Sequence, residues 1–272
     1  MRQPLFLNML LWMSVVPLSK IDKQPFSVST AYHHISVSVN DTMNLLDAEN
    51  AAKWRGYDGK TLPPGWSVSD GMIWVDESKI NGEKINEANY KGSRDIIFAG
   101  QEFEYFELSL EWKISKGGNS GILYHLKEGY GDPSNIAPEY QLIDDVNYAQ
   151  MHTADLKSYN AQFGAKHPEL LQDWQKTGAD YAMYSPNEKE KVLHAVGEWN
   201  TTKIVVAHGK TEYWLNGVKL FSFEPWSKDW YARKKAGKWA DSDNYGKFKT
   251  GYIALQYHGS SLWFKNIKIK PL

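Results

Sequence analysis

Residues 106–114 read FELSLEWKI, and the alternation is strict: Phe106, Leu108, Leu110 and Trp112 fall on one side of an extended chain, with Glu107, Ser109, Glu111 and Lys113 on the other. A strand turns successive side chains to opposite faces, so this stretch is a strand with one dry and one wet face. Short runs of the same kind recur: WSVSDGMIWVD, DIIFAG, GILYHL, YQLID, KIVVAHGKTEYWLNGVKLFSFE, GYIALQY and LWFKNIKIK. Gly, Asp, Asn and Pro separate them. Many short strands punctuated by turn residues specify an all-β, antiparallel sandwich or barrel. Asn216-Gly217 is the strongest hairpin signal among them, because a type I′ turn needs positive φ at both central positions. His208-Gly209-Lys210 turns the preceding strand into the next.

One segment breaks the pattern. KHPELLQDWQKTGADYAMYSP predicts a short helix, with Pro168 at its first position and Gly178 at its stop. Residues 146–190 therefore read as a long, partly helical insertion between two strands, and long loops in compact domains are often functional. No internal repeat, linker or low-complexity tract divides the body. The expected organisation is a leader over residues 1–19, a polar Ser-rich connector over 20–43, and one domain over 44–272.

The leader rests on MRQPLFLNMLLWMSVVPLSK, in which Arg2 precedes an apolar run from Leu5 to Leu18 broken by Asn8 and Ser14. That is the length of a signal-peptide core and short of the roughly 20 apolar residues that span a bilayer. The expectation is an exported protein, periplasmic or extracellular, with no membrane span in its mature body. A retained anchor, or a true start at Met9 or Met13, are the alternatives.

With 42% hydrophobic and 23% charged residues, the 272-residue chain has an ordinary globular composition and enough length for a substantial core. A formal net charge of −1 gives no electrostatic footprint for nucleic acid. The absence of cysteine excludes disulfides, thiolate catalysis and Cys-ligated zinc. In EYQLID, Glu139, Gln141 and Ile143 share one face of a strand, with Tyr140, Leu142 and Asp144 on the other. A carboxylate and an amide on one face either line a cleft or form the wet side of a sheet.

The ordered set GWSVSDGMIWV, FEYFELSLEWKISKGGNSGILYHL, PEYQLIDD, GADYAMY, GEWNTTKIVVAHGKTEYWLNGVKL and ALQYHGSSLWFKNIKIKPL resembles the 3-keto-disaccharide hydrolase family, from about Leu45 to the C-terminus. The resemblance implies an antiparallel jelly-roll β-sandwich of the concanavalin A-like lectin and glucanase type. The sequence departs from the family pattern in two places. The insertion around 146–180 is longer than in many relatives, and the lipoprotein cysteine of many exported relatives is missing.

On such a sandwich, alternate residues of the central strands line one concave polar face. Glu139 and His258 are the expected catalytic groups. Asn119, Gln141, Gln256, Glu111, Trp199 and Trp263 are the expected substrate-binding groups, with Glu107 and Ser109 as further candidates. Carboxylate, amide, imidazole and aromatic groups together suit an oligosaccharide or glycoside. Each has a structural alternative: Glu139 as a salt-bridged carboxylate, His258 as a turn residue before Gly259-Ser260, His125 as a packed ring, Glu111 as a solvated partner of Lys113, and the tryptophans as core.

Direct glycoside hydrolysis needs two carboxyl groups flanking the scissile bond. Laminarinase-type jelly rolls place them in an E-x-D-x-x-E pattern, whereas EYQLID has an amide in the middle and lacks the final Glu. The substrate class implied by the resemblance offers another route. A ketone at C3 acidifies the C2 hydrogen and places the glycosidic oxygen of C1 in the β position, so a base can start an elimination that water then completes. This needs a base, an acid and a means of stabilising the enolate. A divalent ion would serve the last need, with His125, Glu139 and His258 as the ligands to try, although no H-E-x-x-H motif occurs. No nucleotide cofactor is expected. A non-catalytic carbohydrate-binding module and a partner-binding sandwich are the rival readings.

Overall fold

A computed structural model describes residues 41–80 and 94–272. The expected leader, and the connector up to residue 40, lie outside the described residues. In chain order the strands are β1 (Met43–Asn44), β2 (Trp54–Gly56), β3 (Trp66–Ser69), β4 (Met72–Val75), β5 (Ile96–Phe98), β6 (Phe106–Ile114), β7 (Asn119–Leu126), β8 (Glu139–Ile143), β9 (Asn200–Ala207), β10 (Lys210–Leu215), β11 (Val218–Phe223), β12 (Tyr252–Leu255) and β13 (Leu262–Pro271). Three α-helices accompany them: α1 (Tyr148–Met151), α2 (Thr153–Ala161) and α3 (Lys228–Ala236).

The larger sheet runs β11-β10-β9-β6-β13-β4-β3, with β1 also on β13; the smaller runs β2-β5-β12-β7-β8. Neighbours that are distant in sequence, such as β6 beside β13 and β12 between β5 and β7, show the crossovers of an antiparallel jelly-roll sandwich, as the strand pattern required. Strand β6 alternates buried and half-buried along its whole length. Its Phe106, Leu108, Leu110 and Trp112 meet Ile122, Tyr124, Tyr140, Leu142, Ile253 and Leu255 of the smaller sheet in one continuous core. Each large side chain buried there contributes about 1.5–3 kcal/mol of transfer free energy. The predicted hairpin is present: Asn216 and Gly217 have φ of 47° and 81°, and β10 pairs with β11 on either side of them.

The outer face of the smaller sheet is divided. Ile97, Leu123, Leu126 and Ala254 are covered by Tyr57, Ile136 and Ala137 in a second apolar cluster. The remainder, toward β8, is polar and is roofed by the insertion.

That insertion differs from the predicted one. Residues 168–178 form no α-helix; only a 3₁₀ turn, Asp173–Gln175, occurs there. The amide of the buried Asn160 donates to the carbonyls of Pro168 (3.0 Å) and Leu170 (2.9 Å), and Gln172 donates to those of His167 and Leu170. Side chains thus take carbonyls that a helix would have used. The helices lie earlier, as α1 and α2. Leu156 is the single buried apolar residue of α2, so no apolar periodicity marks it. Helix α3, capped by Ser227 Oγ and anchored by the buried Trp230, likewise lacks an apolar stripe. Among the described residues, no helix is long and apolar enough to cross a membrane.

Candidate active site

Strand β8 is held on both edges. On one side Gln141 lies opposite Gly121 and Glu139 opposite Leu123 of β7. On the other, Gly178 N donates to Gln141 O (2.9 Å), Gln141 N to Ala179 O (3.0 Å) and Tyr181 N to Glu139 O (3.0 Å). The segment GADY therefore acts as a further short pairing partner. With its backbone fixed on both sides, β8 points Tyr140 and Leu142 into the core and Glu139, Gln141 and Ile143 outward.

The chain after β12 completes the row. Gln256 N donates to Gly121 O at 2.9 Å, and Ser120 Oγ to Gln256 O at 2.8 Å. Gln141, Gly121 and Gln256 thus lie side by side across three strands. Gly121 leaves a notch in this row, and the Glu139 side chain fills it. A Cβ at residue 121 would lie 2.6 Å from Glu139 Cγ and 2.7 Å from its carboxyl carbon.

Over this floor opens a cleft of about 240 Å³. Asn119, Gln141 and Ile143 come from the sheet; Tyr148, Asp155, Leu156, Tyr159, Leu171 and Gln175 come from the insertion. Tyr181, Lys238 and His258 close it. Glu139 is only 4% exposed and lies next to Gln141's row rather than among the side chains that line open space.

Two environments separate the titratable pair. Burial pushes the Glu139 carboxyl up from 4.5 to about 8; Lys238 opposes the shift, and Asp95 and Asp132 add to it. Among the described residues no hydrogen bond or ion pair holds this carboxyl. His258 is exposed as a residue, yet its imidazole is desolvated within the cleft wall. That desolvation, with the charges of Lys238 and His152, holds it below its ordinary 6.5. At neutral pH, then, burial favours the protonated carboxyl at Glu139 and the neutral imidazole at His258.

The cleft also holds two unused acceptors. Asn119 Oδ1 and Gln141 Oε1 are buried without a hydrogen-bond partner. An unpaired buried acceptor costs about 1–3 kcal/mol unless a ligand supplies the donor. Sugar hydroxyls are such donors.

Other expected site residues lie elsewhere. Glu111, on the outer face of the larger sheet, accepts from Asn266 Nδ2 (2.6 Å) and pairs with Lys265 (3.2 Å). Trp199 and Trp263 share that surface beneath Lys113 (5.2 and 4.9 Å), and Lys265 also covers Trp199 at 4.1 Å. Glu107 and Ser109 lie on the same outer face, half-buried. These five do not meet the cleft. Gln256 is buried in the floor row and does not line the opening.

His125 also departs from expectation. Between Leu123 and Leu126, three steps of β7 face two of β12, and this bulge puts His125 at φ 55°. Its ring therefore packs among Phe106, Tyr124 and Trp226, with Nε2 2.8 Å from Glu104 O. Burial lowers its pKa to about 4. As a metal ligand it is misplaced. Among the described residues no three His, Asp or Glu side chains gather to hold an ion. His125, Glu139 and His258 therefore do not come together as a ligand set.

The sequence reading missed Lys238, Asp155, Tyr148, Tyr159 and Tyr181. GADYAMY was among the motifs that carried the resemblance, and pairing GADY with β8 would have brought in Tyr181. Nothing in the local pattern around Lys238 signals a cleft.

The chain is similar to known proteins over most of its length. It is 30% identical over 258 residues to the 3-keto-disaccharide hydrolase of Bacteroides thetaiotaomicron, covering 88% of this chain and 81% of that one. It is similar to the crystal structure of a proposed glycosyl hydrolase of Parabacteroides distasonis, at 38% identity and TM-score 0.69, over 85% of this chain and 94% of that one. A second such protein from the same organism shares the fold, at 24% identity and TM-score 0.52, over 81% of this chain and all of that one. The model of the 3-keto-alpha-glucoside-1,2-lyase-like domain matches residues 41–270, and the chain belongs to that family.

Proposed function

We propose that the protein, a carbohydrate hydrolase of the 3-keto-disaccharide hydrolase type, cleaves 3-keto-glycosides by elimination followed by hydration. The observation that carries this reading is a cleft lined by His258 over two unpaired amide oxygens, with the Glu139 carboxyl buried against Gly121 beside its floor and held protonated by that burial. The similarity to a 3-keto-disaccharide hydrolase supports the substrate class.

Neutral His258 takes the acidic C2 proton, and the C–H electron pair becomes the C2–C3 π bond of an enolate. As the C3 carbonyl re-forms, that pair moves to C1–C2 and expels the glycosidic oxygen from C1. Glu139 supplies the proton that this oxygen needs. Water then adds its oxygen to C1 while a proton returns to C2, and the net result is hydrolysis. Gln141 Oε1 and Asn119 Oδ1 accept from sugar hydroxyls and fix the C2–H bond toward the imidazole. General acid and base steps of this kind contribute about 10²–10⁴-fold each.

Rapid mixing of the enzyme with a 3-keto-disaccharide, followed by ultraviolet absorbance, tests the mechanism. A transient conjugated enone supports elimination. Smooth conversion to products with no enone, even at enzyme concentrations above substrate, contradicts it.

A further inference from the structure

The reaction above creates a negative charge on the C3 oxygen, which a cation in the cleft would stabilise. The cleft does hold a cation. Lys238 is the one Lys or Arg among the described residues that line it. The neighbouring Trp239, 1% exposed, stacks on Tyr245 at 4.2 Å and donates from Nε1 to Tyr181 O (3.2 Å), so the backbone at residue 238 is anchored.

The ammonium group is surrounded by aromatic rings. It sits 4.4 Å from the ring centre of Trp239, 4.7 Å from that of Tyr181 and 5.5 Å from that of Tyr159. Among the described residues it makes no ion pair and no hydrogen bond. Asp155 lines the same cleft and does not pair with it. Ring faces position a cation for roughly 0.5–2 kcal/mol without neutralising its charge. The field of Lys238 therefore remains directed at whatever occupies the cleft, beside the two unpaired amide oxygens.

Resting on the 3-keto-glycoside reading, we propose that Lys238 is a catalytic residue whose ammonium stabilises the charge developing on the C3 oxygen as the C2 proton leaves. Lys238 keeps its proton throughout. The charge it faces exists only between proton abstraction and departure of the glycosidic oxygen, so its contribution falls on turnover rather than on substrate affinity. A cation that recognised a carboxylate or phosphate on the sugar would act the other way, on affinity and on anionic substrates only.

The test compares wild type, Lys238→Met and Lys238→Arg on a neutral 3-keto-disaccharide. The methionine keeps most of the stem packed among the three rings and removes the charge. The proposal expects kcat to fall about 10²–10³-fold in K238M, the usual cost of losing one such donor, with KM changed only a few-fold and partial activity in K238R. A second readout separates chemistry from packing. Lys238 depresses both Glu139 and His258, so losing its charge raises both and moves both limbs of the pH–rate profile to higher pH. The other titratable groups lining the cleft are Asp155, Tyr148, Tyr159 and Tyr181. Should K238M fail to fold, Lys238→Ala supplemented with ethylammonium takes its place, and concentration-dependent recovery of turnover is expected. K238M turning over within three-fold of wild type, with an unmoved pH profile, overturns the role of Lys238 while leaving the reaction intact. A loss confined to KM and to anionic sugars also overturns it. Failure of wild type to cleave any 3-keto-disaccharide overturns the reaction itself and this role with it.

Discussion

The side chain of Glu139 occupies the space that any side chain at residue 121 would need: a Cβ built on Gly121 falls 2.6 Å from Glu139 Cγ. The glycine is thus a steric requirement of the acid's position. Gly121 does not have a left-handed backbone, so space alone decides what residue 121 tolerates. Gly121→Ala is expected to displace the carboxyl, lower kcat at least ten-fold and cost about 1–3 kcal/mol of stability through overpacking. Turnover and thermal melting check this, and a G121A enzyme with wild-type kcat speaks against Glu139 acting from its observed position.

The opposed environments of Glu139 and His258 set a pH window. The acid limb belongs to His258, which must be neutral and whose pKa lies below 6.5. The alkaline limb belongs to Glu139, which must be protonated and loses its proton at about 8. A bell-shaped kcat/KM profile with its plateau between those limits is expected. Activity that keeps rising above pH 9 contradicts the assignment of the acid.

The same shift makes Glu139 a cost to stability. Its carboxyl titrates near 4.5 when unfolded and about 8 when folded. The folded protein therefore holds a proton that the unfolded chain releases between those values. Wild-type stability falls as pH rises across that window and levels off above it. A shift of this size carries up to roughly 4–5 kcal/mol at full deprotonation. Glu139→Gln removes the penalty, so E139Q is expected to be inactive yet to melt higher than wild type at pH 8.5 and nearly equal to it at pH 4.5. Melting curves at the two pH values decide the matter. An E139Q protein no more stable than wild type at pH 8.5 shows that the carboxyl is not buried as described.

The unpaired acceptors Gln141 Oε1 and Asn119 Oδ1 predict that Gln141→Ala and Asn119→Ala each raise KM by about ten-fold, since a hydrogen bond to an uncharged partner is worth about 0.5–1.5 kcal/mol. Trp199→Ala, Trp263→Ala and Glu111→Gln, on the outer face of the other sheet, are expected to leave both kcat and KM within two-fold. Initial-rate kinetics on the five variants check the placement, and a large KM effect at Trp199 would move the site to the wrong sheet.

The fold was legible because β6, β8 and the Asn216-Gly217 hairpin obey period two and turn chemistry, which are local rules. The same parity placed Glu139 and Gln141 on one face, and proximity across strands follows from GILYHL pairing with that strand and ALQYH pairing with GILYHL. Parity failed at His125, because a bulge between Leu123 and Leu126 switches the face and leaves no mark in the residue types. It also failed to choose between two wet faces: the sequence pattern of Glu111, Trp199 and Trp263 resembles a binding surface as closely as that of Gln141 does, and only sheet order assigns them to opposite sides. Asp144, from the same run as Gln141, serves a turn instead, accepting from Gly117, Val146 and Asn147 N. Lys238 was invisible because it follows a helix with no apolar stripe, in a segment anchored by Trp230 and Trp239, whose burial depends on distant parts of the chain.

Paired assays of a 3-keto-disaccharide and its unoxidised parent, run in deuterium oxide with and without enzyme, test the reaction most directly. The account predicts that only the keto sugar is cleaved and that the released 3-keto-sugar carries enzyme-dependent deuterium at C2. Equal cleavage of the parent sugar, or release of the keto product with its original C2 hydrogen, would contradict it.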